Sequence, residues 1–358
     1  MNKRVVLKQR PKGVPQKEDF EVNFESLHLN LKQGEILVKV EWISADPTQL
    51  VWISGMRSYM PPIKLGDTVR ALGVGIIVNS HSPGYKVGTY VSGLLGWQEY
   101  CKIHVSQVEK IPSSVKPSLY LGIFGMTGLT AYVSVRLLGK AQKKQVVVIS
   151  TAAGAVGSVA VQVAKAQGCK VIGITGSDEK VQWLKDLGIY GVINYKTENV
   201  ASVLKSMCPE GIDMYLDNVG GEMLDAVLMN AKKGSRMILC GAIQSYGLKK
   251  AQPVYMYPLV ISKSIKMKGF IINDYQDKYE EAISYLSKLY KKGELIYKED
   301  VVEGLENAYQ ALQKLATGGN QEDVVEGLEN AYQALQKLAT GGNQGKMLVR
   351  VLHEAPKL

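Results

Sequence analysis

The 358-residue sequence is poor in the side chains that cross-link chains and hold metals. Its four cysteines, Cys101, Cys169, Cys208 and Cys240, stand far apart, and no Cys-x-x-Cys occurs. That spacing argues against a disulfide framework and against a structural zinc site. Four histidines and no His/Glu cluster argue against a catalytic zinc as well. No apolar run nears the ~20 residues a membrane helix needs. The basic start "MNKRVVLKQRPKG" lacks the apolar core of a secretory signal, and "RVVLKQR" reads as a first strand. Composition is ordinary globular, so the expectation is a cytosolic, metal-free chain. Lys and Arg outnumber Asp and Glu by 43 to 33, a net charge of +10. A basic surface attracts phosphates, including those of a dinucleotide. No basic run exceeds two or three residues and no nucleic-acid motif is present, so a soluble basic enzyme is favoured over a nucleic-acid binder.

One more absence is local. Between Ile174 and Lys180 the chain reads "ITGSDEK". NAD-binding chains place Asp or Glu at the end of the second strand of their nucleotide unit, to hold the ribose 2′-hydroxyl. Here that place reads Gly176-Ser177, with Lys180 following. An acid would repel the 2′-phosphate of NADP. Ser177 can donate a hydrogen bond to it and Lys180 can neutralise it. Tyr195, in "NYK", offers a hydroxyl to the same phosphate. The expected cofactor is therefore NADPH.

What is present gives a two-domain plan, in keeping with the length. Residues 1–124 are rich in strand patterns broken by Gly and Pro turns, such as "EILVKVEWIS" and "VGIIVN". From 125 to 300 strands alternate with helices. "QVVVIS", "KVIGIT", "GVINY", "GIDMYLDN", "RMILCGA" and "SIKMKGFII" read as strands, with helices such as "EMLDAVLMNAKKG" between them. This alternation means βαβ units and a doubly wound parallel sheet of the Rossmann type. The C-terminal segment 301–358, with its strand "KMLVRVL", returns to the first domain. Between the strand "QVVVIS" and its following helix, Ala152, Gly154 and Gly157 form A-x-G-x-x-G. Gly154 lets the backbone approach a pyrophosphate, Gly157 lets the helix pack on the sheet, and the helix N-terminus faces the negative charge.

Residues 299–321, "EDVVEGLENAYQALQKLATGGNQ", recur without change at 322–344. Two identical copies with no third do not make a repeat fold. Leu305, Ala308, Tyr309, Leu312 and Leu315 fall at helical spacing, ended by Gly318-Gly319. One copy is enough to dock such a helix. Upstream contiguity favours the first copy, and contiguity with "KMLVRVL" favours the second.

The stretches "GWQEY" (96–100), "GMTGLTAY" (125–132), "AAGAVGS", "GSDEK", "NYK", "DNVGGE" (217–222), "CGAIQSY" (240–246), "KGFII" and "GGNQGK" together resemble the zinc-free medium-chain dehydrogenase/reductases. Within them the chain is similar to the prostaglandin reductase, leukotriene B4 dehydrogenase and alkenal/one (curcumin-type) reductase group. The resemblance spans nearly the whole chain apart from the extra repeat copy. It implies a GroES-like domain beside the Rossmann domain, usually in a homodimer. It implies that Gly154, Ala155, Val156 and Gly157 hold the pyrophosphate, that Lys180 and Tyr195 hold the 2′-phosphate, and that Asn218 approaches the ribose. Cys240, Gly241, Ala242, Ile243 and Tyr246, with Phe270, Ile271 and Ile272, would line the nicotinamide side. Asn343 would close on the cofactor, preferred to its duplicate Asn320 because only Asn343 is followed by Gln-Gly-Lys. Two departures affect substrate shape. The group's "DPYMR" is here "DPTQLVWISGM", and its "GMPG" is "GMTG".

The resemblance implies reduction of the C=C bond of an α,β-unsaturated ketone or aldehyde: hydride to the β-carbon, proton to the α-carbon. Without a metal, the developing enolate oxygen needs hydrogen-bond donors. Tyr59, in "RSYMPP", matches the tyrosine that serves this role in the family, with the nicotinamide ribose hydroxyl as a second donor. Tyr257, before Pro258, is a further candidate, with Tyr255 close enough to confuse the alignment. Two alternatives stand beside this reading: an NADPH quinone oxidoreductase, and an NADPH-binding protein that is non-enzymatic or binds RNA.

Overall fold

The structure is a computed structural model and describes residues 1–27, 29–246, 251–317 and 343–352. Among the described residues, the first part of the chain forms β1 (Asn2–Leu7), β2 (Phe20–Glu25), β3 (Glu35–Ser44), α1 (Thr48–Ser54), β4 (Gly73–Ser80), β5 (Tyr90–Gly93), β6 (Tyr100–His104) and β7 (Val108–Lys110). Then follow α2 (Met126–Tyr132), β8 (Val146–Ser150), α3 (Ala155–Ala166), β9 (Lys170–Thr175), α4 (Asp178–Asp186), β10 (Gly191–Asn194), α5 (Val200–Met207), β11 (Ile212–Asp217), α6 (Gly221–Met229), β12 (Ala231–Leu239), α7 (Pro258–Ser262), β13 (Lys266–Gly269) and α8 (Tyr279–Lys291). The chain ends with β14 (Glu299–Glu303), α9 (Ala308–Thr317) and β15 (Lys346–Arg350).

These elements fall into two compact units. One takes in Met1–Gly122 with described residues 299–317 and 346–352, and the other Ile123–Lys298 with residues 343–345. In the first unit β1 and β2 pair as a ribbon. A larger sheet runs β14-β15-β3-β4-β5-β7, with β6 on β3. The alternation in β3 explains its place: Ile36, Val38 and Val40 are wholly buried, and Ile43 joins them past a register shift between Val40 and Trp42. β15 joins β3 antiparallel, with Leu348 opposite Ser44. The last strand therefore lies in the first domain's sheet.

In the second unit the sheet order is β10-β9-β8-β11-β12-β13, and every pair is parallel. The order reverses beside β8, the switch point where doubly wound sheets bind their ligands. Val147, Val148 and Ile149 of β8 have no exposure, as a central strand covered on both faces requires. α3 turns Val159, Ala160, Val163 and Ala164 inward and ends at Gly168, whose φ of +78° closes the helix.

Several elements differ from the sequence patterns. The tail of "EMLDAVLMNAKKG" is strand: α6 stops at Met229, and β12 begins at Ala231. Asn230 accounts for the change, because its amide donates to the carbonyls of Ala226 and Ala201 and closes the helix. The ribbon strand β2, whose "FEVNFE" alternates, and the seven-residue helix α1 were not among the expected elements. Within the duplicated segment, "EDVVE" of the first copy is strand β14, parallel to β15, ahead of the expected helix α9. Residues 318–342, the end of the first copy and nearly all of the second, lie outside the described residues.

Candidate active site

The turn between β8 and α3, where the sequence reading expects a pyrophosphate, is built from backbone. β8 leads into a turn at Thr151, whose φ is +50°, and then into α3. A Cβ on Gly157 would stand 2.2 Å from the Thr151 carbonyl oxygen and 2.7 Å from the Ala152 Cα. Those are backbone atoms and cannot swing aside, so only glycine fits. Gly154 caps α3 and donates to the Thr151 carbonyl at 2.9 Å. The N–H groups of Ala155, Val156 and Gly157 form the first turn, where a helix has no internal acceptors to offer. An anion there meets aligned dipoles and free donors.

A second tie fixes this loop. The Gly345 N–H donates to the Ala153 carbonyl at 2.9 Å, and Gly345 bridges Gly154 in parallel. Asn343 is buried and its amide donates to the Gly345 carbonyl. Asn343 is thus tied through Gly345 to the loop between β8 and α3, while Asn320 lies outside the described residues. Lys298 reaches the Gln344 side chain at 3.1 Å and lies over the Trp183 ring at 4.9 Å.

At the end of β9, Ser177 caps α4 and its hydroxyl accepts the Lys180 N–H at 3.4 Å. The Tyr195 hydroxyl fills the space where a side chain on Gly176 would begin, 2.6 Å from that point. A glycine at this position is therefore what admits the phenol beside Ser177. Lys180 is only 4% exposed, an uncommon place for a lysine. The nearby acid is turned away: Asp178 accepts from the Asn194 amide at 2.9 Å.

Past β11 the turn is organised by Asp217, which the sequence reading did not single out beyond its motif "DNVGGE". Its carboxylate accepts from the Tyr215 hydroxyl at 3.0 Å and from the N–H groups of Val219 and Gly220 at 2.9 Å. Burial holds its pKa above the usual carboxylate range, against the pull of those bonds. Asn218 donates from its backbone to the Ser150 hydroxyl at 2.9 Å and from its amide to the Ser150 carbonyl at 2.8 Å. Its carbonyl accepts from Ile243, and the Asp217 carbonyl accepts from Cys240 and Gly241. The Tyr246 hydroxyl accepts the Ala242 N–H at 3.4 Å. Asn218 and 240–246 therefore form one constellation at the carboxyl ends of β11 and β12. Burial, then the Asp217 charge, push the Cys240 thiol up to about 12, so it stays a neutral wall group.

Phe270, Ile271 and Ile272 follow β13, whose Gly269 pairs with Leu239, so they sit on the same sheet margin. Phe270 meets Tyr275 edge-on at 6.0 Å. Tyr255 and Tyr257 are largely exposed, and among the described residues neither hydroxyl has a hydrogen-bond partner. The backbone before Tyr257 is anchored, since Asp225 accepts from the N–H groups of Tyr255 and Met256.

In the first unit, Tyr59 is 52% exposed and its hydroxyl lies 2.9 Å from the Thr48 hydroxyl. Its ring meets Trp52 edge-on at 6.3 Å, and the Arg70 guanidinium lies 5.4 Å from the centre of the Trp52 ring. Partial burial raises the phenol pKa, aided by the Asp46 charge and opposed by the Thr48 bond and Arg70. Tyr59 is thus a protonated donor at neutral pH. Among the described residues, no group of three His, Cys, Asp or Glu side chains is placed to hold a metal.

Comparison with known proteins places this arrangement. Residues 3–111 match the family described as the N-terminal domain of oxidoreductase, and residues 155–288 match zinc-binding dehydrogenase. A 2-alkenal reductase (NADP(+)-dependent) of Nicotiana tabacum is 38% identical over 89% of this chain and 95% of its own length. Prostaglandin reductase 1 of Oryctolagus cuniculus is 36% identical over 89% of this chain and 91% of its own. The crystal structure of CurA from Vibrio vulnificus in complex with NADPH superimposes with a TM-score of 0.86 at 32% identity, covering 98% of this chain and 99% of that one. The chain belongs to the zinc-free medium-chain dehydrogenase/reductases, in the group of the prostaglandin, alkenal and curcumin reductases.

Proposed function

We propose that the chain is an NADPH-dependent reductase of the C=C bond in α,β-unsaturated ketones and aldehydes. The observation that carries the reading is the buried Lys180 in the turn of α4, with the Ser177 hydroxyl and the Tyr195 phenol beside Gly176, where an NAD enzyme would hold an acid. The relatives point the same way, being named an NADP-dependent alkenal reductase and a prostaglandin reductase. The cofactor fits this chain: Gly157 leaves no room for a side chain, and α3 offers its first-turn N–H groups to a pyrophosphate.

Gly154 to Gly157 hold the pyrophosphate, Ser177, Lys180 and Tyr195 the 2′-phosphate, and Asn218 the ribose. Cys240, Gly241, Ala242, Ile243, Tyr246 and Phe270 to Ile272 wall the nicotinamide side, and Asn343 steadies the loop. When bound, NADPH supplies the hydride that the substrate β-carbon accepts. Tyr59 donates its phenol hydrogen bond to the carbonyl oxygen as that oxygen gains negative charge. Tyr257 is the other tyrosine proposed for this work, on its place before Pro258.

The test is loss of nicotinamide absorbance with NADPH, then NADH, against a medium-chain enone, an alkenal and a quinone. Fast loss with NADPH and the enone or alkenal supports the proposal. Turnover of the quinone alone would assign the chain to quinone reduction. Tight NADPH binding without turnover, joined to salt-dependent RNA binding that NADPH competes away, would assign a binding role.

The enzyme is further proposed to act as a homodimer in the cytosol. Four free thiols suit a reducing compartment, and no helix among the described residues is long and apolar enough to cross a membrane. Light scattering on the purified chain checks the dimer.

A further inference from the structure

The turn that starts α1 is held with more bonds than a surface turn needs. Lys346 is 1% exposed, and its ammonium pairs with the Asp46 carboxylate and donates to the Ala45 carbonyl at 3.2 Å. Asp46 also accepts from the Ser44 hydroxyl. The Asp46 N–H donates to the Gln49 side chain at 2.8 Å, and the Gln49 amide donates to the Arg70 carbonyl at 2.9 Å. Gln49 is itself buried. Asp46 and Gln49, which flank Thr48 in "DPTQ", are thus pinned to three other parts of the sheet unit. Between them they carry Pro47 and Thr48.

Thr48 directs its hydroxyl at the Tyr59 hydroxyl, 2.9 Å away. Among the described residues this is its one side-chain hydrogen bond. Threonine has few χ1 choices, so a fixed backbone limits where the hydroxyl can stand. A phenol has one proton. If that proton were given to Thr48, Tyr59 could only accept, and acceptance is of no use to an oxygen that is gaining negative charge. If Thr48 donates to the phenol oxygen, the phenol proton is left for the substrate.

We propose that Thr48 is a positioning residue for the reduction: its hydroxyl donates to the Tyr59 oxygen and so presents the phenol proton to the substrate carbonyl oxygen. The proposal rests on the role of Tyr59 given above. The charges facing the phenol are Asp46, itself paired with Lys346, and Arg70. The Thr48 bond lowers the phenol pKa and so opposes the rise that partial burial causes. A donor to the phenol oxygen acts in that sense.

The experiment uses Thr48→Val, Thr48→Ser, Tyr59→Phe and the Thr48→Val/Tyr59→Phe double variant of the full chain. Turnover of an enone and titration of the Tyr59 ring carbon by NMR are followed together, with Tyr59→Phe identifying the signal. Thr48→Val is expected to lower kcat by about five- to tenfold, the worth of one hydrogen bond, and to leave the NADPH Kd unchanged. Thr48→Ser restores turnover, and the double variant loses no more than Tyr59→Phe does. The phenol titrates at higher pH in Thr48→Val and returns in Thr48→Ser. A titration that does not move in Thr48→Val overturns the proposal even if the enzyme has no enone activity. So does a loss of turnover as large in the Tyr59→Phe background as in the wild type. Full turnover in Tyr59→Phe would remove the role of Tyr59 first, and with it that of Thr48 in the reaction, even where the titration shows the bond.

Discussion

The two places proposed to meet the reactants are built on opposite principles. The nucleotide end of the second unit consists of main chain in close contact, with Gly157 pressed on the Thr151 carbonyl and Ala152 and Ala153 buried beneath. The carbonyl end of the first unit is a half-exposed phenol held by one hydroxyl and one ring edge. Recognition of a cofactor common to many substrates can be written into packing. Recognition of a particular carbonyl is left to side chains, which can change without disturbing a core. A substitution at the first place should therefore cost folding and affinity together, while one at the second should cost rate alone.

The strongest challenge to this contrast is Gly157→Ala. The added methyl meets backbone, so the turn or α3 must shift, at a cost of about 1–3 kcal/mol. Thermal unfolding should fall by several degrees, and NADPH titration by fluorescence should show little or no binding. A stable variant with normal affinity would mean that the loop is softer than its contacts imply. Next is Tyr59→Phe, which should lower kcat by about a hundredfold, as losing one donor to a developing oxyanion does, with the melting temperature and NADPH affinity kept. Because the phenol pKa is raised above its ordinary 10.0, the wild-type rate should not fall from this group until the pH exceeds that value. A steady-state pH profile checks the point, and a decline near neutrality that vanishes in Tyr59→Phe would refute it.

Lys180→Met should be smaller and should bridge the contrast. Methionine keeps the packing of a buried chain and removes its charge. NADPH affinity should drop by roughly ten- to a hundredfold, the range for charge-assisted bonds, while NADH affinity stays the same. Equal loss for both cofactors would make Lys180 a packing residue.

The same contrast decided what could be read in the sequence. The parallel sheet was legible because its strands are short apolar runs, such as "QVVVIS" and "KVIGIT", set between amphipathic helices. The tight turn from β8 into α3 was legible because close approach of the backbone at Gly157 demands one residue type. Tyr59 could be named only through its resemblance, since one tyrosine among 19 carries no pattern of its own. Thr48 and Asp217 were missed for a related reason. Each works through a bond to a residue that folding brings near, and neither spacing nor periodicity records it. Strand β14 was missed because "EDVVE" alternates weakly and becomes a strand only by pairing with β15.

The smallest effect expected concerns the duplicated segment, and it tests whether the nucleotide end is as self-contained as its packing suggests. Residues 299–321 and 322–344 are identical, so deleting either copy yields one and the same chain. The described structure draws β14 and α9 from the first copy and the Asn343-Gln344 pair from the second. In the shortened chain a single copy supplies both sets of side chains, and the turn that brings Gly345 to Ala153 has the same residues on each side. The side chains that make the contacts described for β14, α9, Asn343 and Gly345 are all retained. What changes is the length of chain between Thr317 and Asn343, and closure entropy depends on length only logarithmically, near 0.6 kcal/mol per doubling. The deletion should therefore leave NADPH affinity and enone turnover within about twofold, and cutting the 25 residues between Thr317 and Asn343 to two should raise stability by about 2 kcal/mol at most. A large gain in affinity would mean that the surplus copy hinders the Asn343–Gly345 contact with the phosphate loop. A large loss would mean that it contributes contacts of its own, and the nucleotide end would then depend on more than its own packing.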